Sequence, residues 1–186
     1  MAVAFAVLAG CDAQGPSFRN TDVSGAEWGR ELALTGHDGK PRTLADFRGK
    51  IVVLAFGFTH CPDICPTTLS ELKQVKDKLG SDGARVQVLF MTLDPERDSQ
   101  SVLTQYVPAF DPGFLGLYGD RDATARTAKE FKVFFQKSPG QAPGAYSIDH
   151  TAASYVFDQQ GRLRLYVRHE QLATLVDDIR TLLKGG

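Results

Sequence analysis

The sequence predicts an α/β fold of three layers around a mixed central sheet. Three observations carry this expectation. Strand-like apolar runs alternate with helical-period segments from about residue 31 to residue 184; the run "IVVLAFGF" from Ile51 is unbroken by polar side chains; and the chain closes on a hairpin pattern followed by an amphipathic helix. With 186 residues and a net charge of -1, the chain can bury one core as one domain, and nothing points to nucleic acid or to a polybasic membrane contact.

The elements follow in order. "ELALTGHDGKPRTLADFRGK" offers a short strand, an Asp38-Gly39 turn of the hairpin type and a second short element. "IVVLAFGF" is too short for a typical helix and rich in β-branched and aromatic residues, so it reads as a central strand buried on both faces. A helix then opens with Pro66 in its first turn; Leu69, Leu72, Val75 and Leu79 recur at helical spacing until Gly80 ends the pattern. "ARVQVLFMTLD" reads as a strand, "SQSVLTQYVPAF" as a helix, "FLGLYG" as a short strand and "DATARTAKEFKV" as a helix. "AASYVFD" and "RLRLYVRH" flank Gln159-Gln160-Gly161 as a hairpin, and "EQLATLVDDIRTLLK" is the closing helix.

The N-terminal eleven residues, "MAVAFAVLAGC", are apolar but far short of the roughly 20 needed to span a bilayer. Leu-Ala-Gly-Cys is similar to the lipobox of bacterial lipoproteins, so residues 1–11 are expected to be a signal segment with Cys11 as the lipidated residue. Residues 12–30, polar and Gly-containing with Trp28 among them, read as a tether, and 31–186 as the folded domain. This places the chain at the extracytoplasmic, periplasmic face of a bacterial cytoplasmic membrane, where thiols tend to be oxidised.

Cys61 and Cys65 lie at the junction between the central strand and the next helix. A helix N-terminus favours the thiolate. Side chains four apart in a nearly helical turn have Cβ atoms about 5 to 6 Å apart, wider than the roughly 3.5 to 4.5 Å of a disulfide. A metal site, a nucleophile and a disulfide all remain open at this point, whereas a purely structural bridge closing so short a loop gains little.

Of the four histidines, His37 falls in a turn, His169 ends a strand as a helix-start or surface residue, and His60 adjoins Cys61, where neighbouring side chains point apart, so it reads as supporting the pair or tuning its pKa rather than as a ligand. His150, just before "TAASYVFD", could reach the cysteine loop because strand ends gather along one sheet edge. Two thiolates and one imidazole suit Cu(I), or Cu(II) and Zn(II) with an added oxygen ligand, and not hard cations.

The residues "FGFTHCPDICP", "MTLDPERDS" and "SIDHTAASYVFDQQGRL" resemble, in that order, three motifs of the Sco/SenC proteins, copper-binding assembly factors for cytochrome c oxidase. The resemblance covers roughly Glu31 to Lys184 and implies a thioredoxin-like fold. It implies Cys61, Cys65 and His150 as copper ligands, for Cu(I) and Cu(II), with Asp94 and Asp149 beside the site. Met91 is expected in the core. The resemblance further implies delivery of copper to the copper-A centre of cytochrome c oxidase subunit II, with other periplasmic copper chaperones and thiol reductants as further partners.

Two other readings stand beside it. A thiol-disulfide oxidoreductase would use Cys61 and Cys65 as redox-active, catalytic thiols, although enzymes of that fold resemble Cys-x-x-Cys, one residue shorter. A copper or redox sensor would signal through oxidation of the same pair. Peroxiredoxins place Thr or Ser three residues before the nucleophile, where this chain has Pro62 before Cys65.

Overall fold

The computed structural model describes residues 16–140 and 145–185. The elements in chain order are β1 (Thr21–Asp22), β2 (Ala33–Gly36), β3 (Pro41–Thr43), β4 (Ile51–Gly57), α1 (Ile64–Lys78), β5 (Val86–Thr92), α2 (Gln100–Tyr106), β6 (Leu115–Tyr118), α3 (Arg121–Glu130), β7 (Phe135–Pro139), β8 (Tyr146–His150), β9 (Ala153–Phe157), β10 (Leu163–Arg168) and α4 (Leu175–Leu183). Eight strands form one sheet in the order β1-β10-β9-β4-β5-β6-β2-β3, and β7 pairs with β8 as a separate hairpin.

The sheet is mixed, as its sequence pattern requires. β4 pairs parallel to β5 and antiparallel to β9, so Val53 faces both Val88 and Val156. Every residue of β4 is buried, which explains why its sequence carries no polar alternation. Successive side chains leave a strand on opposite faces. On one face of β4, Phe56 stacks with Phe131, which follows α3, and with Tyr155 of β9. On the other, Gly57 lies under the sulfur of Cys65 on α1. Leu69, Leu72 and Val75 seat α1 in the core, and α4 packs beside it. Layers of helix therefore cover both faces of the sheet.

Two helices start on side-chain caps, with Ser99 accepting from the Val102 amide at 3.4 Å and Asp120 from the Ala123 amide at 2.7 Å. α1 differs. Asp63 at its N-cap position makes no capping bond, and the amide of Cys65 donates to Cys61 Sγ at 3.4 Å instead. A thiol serves where a carboxylate or hydroxyl usually does, so the donors left over at this helix start converge on sulfur.

Three expectations need correction. The tether does not run to residue 30. β1 pairs with β10, Trp28 stacks edge-on against Tyr155 at 6.0 Å, and buried Asp178 of α4 accepts from the Arg19 and Asn20 amides and from Asn20 Nδ2. Two-residue strands and side-chain clamps leave no periodicity to read. The β7–β8 hairpin was not foreseen, because its strands are half exposed and interrupted by Pro and Gly; only the alternation of Tyr146, Ile148 and His150 marks it. The closing helix begins as a 3₁₀ turn over His169–Thr174 before α4 proper. The lipidation expectation at Cys11 lies outside the described residues. No helix among them is long and apolar enough to cross a membrane.

Candidate metal centre

Cys61 and Cys65 are both free thiols, the first half-buried in the loop after β4, the second 2% exposed on the first turn of α1. The two sulfurs share one proton. A hydrogen bond from Cys65, the largest cause, then one from His150 and the amides of Cys65 and Asp63 outweigh burial and lower the Cys61 pKa to about 3, which favours its thiolate. The same bond, with burial second, pushes the Cys65 thiol well above its ordinary value. The pair is a monothiolate, negative on the more accessible sulfur.

His150 ends β8 and brings its Nε2 to 3.7 Å from Cys65 Sγ. Its Nδ1 stands 3.0 Å from the carbonyl oxygen of Thr151, which can only accept, so Nδ1 carries a proton and Nε2 is the ring nitrogen turned to the sulfurs. Phe58 meets the ring edge-on at 6.0 Å. A metal bound to one thiolate at about 2.3 Å and one imidazole at about 2.0 Å sets those two donors about 3.5 to 3.7 Å apart. The observed spacing matches that edge. Among the described residues no three His, Cys, Asp or Glu side chains are grouped to hold a metal ion.

The supporting residues divide unevenly. Asp94, 1% exposed, pairs with Arg97 and accepts from Tyr146 Oη at 2.8 Å. Arg97 lies over the rings of Tyr146 (3.6 Å) and Phe58 (5.8 Å). Asp94 thus fixes, through Arg97 and Tyr146, the hairpin that carries His150. Asp149 lines the same cleft as Cys61 and His150 and accepts from Ser138 Oγ at 3.2 Å across the hairpin, strand alternation setting its side chain opposite that of His150. Met91 is fully buried in the core.

The other histidines stand apart from the sulfurs. His37 Nδ1 accepts from the Gly116 amide, and burial lowers its pKa. His60 is exposed. His169 opens the 3₁₀ turn, a helix start as expected, and is tied through Nδ1 to Thr68 Oγ1 at 2.9 Å, one turn along α1 from Cys65.

Two supporting residues escaped the sequence reading. Gly57 is one: a Cβ there would come 2.7 Å from Cys65 Sγ and 2.8 Å from Phe90, so only glycine lets the sulfur rest on the end of β4. Asp98 is the other. It accepts from the Thr59 amide (2.9 Å), Thr59 Oγ1 (2.5 Å) and Thr92 Oγ1 (2.6 Å), tying the loop before Cys61 to β5. It lay inside the motif "MTLDPERDS" without a role, since no pattern distinguishes it from a turn carboxylate.

The family model described as SCO1/SenC matches residues 20–184. This chain belongs to the SCO1/SenC family. It is 39% identical over 153 residues to the mouse protein named SCO2 homolog, mitochondrial, a match covering 81% of this chain and 60% of that one. The chain spans under two thirds of the length of that relative. Among solved structures, copper-bound ScoI of Bradyrhizobium japonicum shares 34% identity at a TM-score of 0.76, covering 85% of this chain and all (100%) of the other. Apo Sco1 of Thermus thermophilus shares 42% identity at a TM-score of 0.79, covering 90% and 98%. The thioredoxin-like α/β fold expected of a SCO1/SenC chain is the fold observed.

Proposed function

We propose that this SCO1/SenC chain is a copper chaperone that holds one copper ion through Cys61, Cys65 and His150 and passes it to the copper-A site of cytochrome c oxidase subunit II. The single observation that carries the reading is the approach of His150 Nε2 to the sulfur of Cys65 beside a second sulfur, that of Cys61, which accepts the Cys65 amide. Copper bound to relatives of the same fold supports it. Copper is cargo here. A soft, three-donor site releases it by ligand exchange, because an incoming thiolate or imidazole can bind before the first donors leave. The half-buried Cys61 sulfur is the accessible handle, and Cys65 and His150 form the inner wall. Asp94 holds the His150 hairpin through Arg97.

The test has two stages. The reduced protein is expected to take up one equivalent of Cu(I) or Cu(II), the latter with an intense thiolate-to-copper band that His150→Ala weakens. In the source cell, deletion is expected to abolish copper-A assembly, with rescue by the wild-type chain and not by Cys61→Ala, Cys65→Ala or His150→Ala. A normal oxidase in the deletion strain refutes the delivery step.

A second reading is favoured by the thiolate of Cys61, with its pKa lowered to about 3: a thiol-disulfide reductase that keeps copper-site cysteines reduced. Client-disulfide reduction that survives His150→Ala selects it. Lipid anchoring through Cys11 at a periplasmic membrane face belongs to the same proposal, and mass spectrometry of the membrane fraction tests it.

A further inference from the structure

Asp98 stands out when the buried carboxylates beside the site are compared. Asp94 is neutralised by Arg97. Asp98 has a fully buried side chain, yet all three hydrogen bonds it accepts come from neutral groups, and among the described residues no Lys or Arg reaches it; the one ionisable nitrogen in ion-pair range is His60 Nδ1 at 3.8 Å. Three donors and no proton to give fit a carboxylate anion. Thr92, which holds it, is the register partner of Gly57, and Gly57 is the residue on which Cys65 Sγ rests. A buried charge of one sign therefore sits behind the thiol pair, screened from solvent.

We infer that Asp98 is a specificity-determining residue whose fixed negative charge biases the Cys61–Cys65–His150 site toward the more oxidised, more positive member of each couple it hosts. The inference rests on the copper reading for its first consequence and not for its second. With copper bound, the Cu(II) form carries one more positive charge than the Cu(I) form, so a nearby anion favours Cu(II). Without metal, the disulfide is neutral, whereas two electrons and one proton leave negative charge on the sulfur that accepts the Cys65 amide, so the same anion favours the disulfide. The anion attracts both copper ions and the doubly charged one more strongly, which makes the oxidised metal the better-held cargo.

Asp98→Asn keeps the shape and removes the charge. The Cu(II)-to-Cu(I) affinity ratio, read by chelator competition, is expected to fall on the order of tenfold, a midpoint rise of about 59 mV for one electron. The metal-free disulfide midpoint, read against glutathione, is expected to rise by about 30 mV for the same factor with two electrons. Asp98→Ser, smaller and also neutral, serves as the second charge-removing variant should the first not fold. Thr59→Ala loosens the loop and leaves the charge, and both midpoints should stay. Unchanged midpoints in the neutral variants overturn the inference, as does an equal shift in Thr59→Ala, which would make Asp98 a clamp alone. A wild-type protein that binds no copper refutes the proposed function, and the metal-free midpoint still decides the role of Asp98.

Discussion

Cys65 Sγ and His150 Nε2 stand 3.7 Å apart although 85 residues separate them in the chain. One belongs to a helix docked on the central strand, the other to a hairpin outside the main sheet. The hairpin is held by Arg97, stacked on Tyr146 and bonded to its carbonyl at 2.9 Å. The site is therefore the meeting of two separately supported parts, and each part makes its own predictions.

The two thiols should separate by reactivity. In the reduced, metal-free protein iodoacetamide at pH 5 is expected to label Cys61 and spare Cys65, since the first is thiolate above about 3 and the second is a buried thiol pushed far up. Lowering the pH through about 3 protonates Cys61 and should slow its labelling in proportion to the thiolate lost. Peptide mass mapping across pH reads this. Equal labelling of both residues at pH 5 would contradict the monothiolate.

Gly57→Ala places a methyl group 2.7 Å from Cys65 Sγ and 2.8 Å from Phe90. Overpacking of this kind costs about 1 to 3 kcal/mol, and here it also displaces a sulfur. Urea denaturation should show the loss, and copper affinity should fall with it. A variant with wild-type affinity would show that the sulfur has room elsewhere.

Arg97→Ala strips the cation from Asp94, whose side chain is 1% exposed. Leaving a buried charge unpaired costs about 3 to 5 kcal/mol. Adding Asp94→Asn should recover part of that loss, because the stranded charge goes with it. Chemical denaturation of the single and double variants measures the coupling, and simple additivity would argue against it.

Truncation before residue 31 tests the revised N-terminal boundary. It removes Asn20 and the Arg19 amide from buried Asp178 and the Trp28 ring from Tyr155. A chain starting at residue 17 should be clearly more stable than one starting at 31, with the difference exceeding about 2 kcal/mol for the stranded carboxylate alone. Equal melting midpoints would restore the tether reading.

The sequence by itself determined the parts that local physics writes into a pattern. The unbroken apolar run of β4, the helical spacing of Leu69, Leu72 and Val75, and the turn residues at Asp38-Gly39 each follow from burial period and backbone preference. They fix the strand-to-helix junction where both cysteines must lie, and the dipole argument for a thiolate follows from it. Tertiary structure alone decided the rest. Which cysteine holds the proton depends on their mutual hydrogen bond and on unequal burial. Asp149 and Asp94 look alike in sequence, yet one faces out from a hairpin that only its strand pairing defines, while the other is buried against Arg97. Gly57 and Asp98 matter through neighbours in space, Cys65 and Thr59, that no spacing along the chain announces. Periodicity records what a residue does for its own element; charge, hydrogen bonding and close approach record what it does for another, and those interactions exist only once the elements have packed.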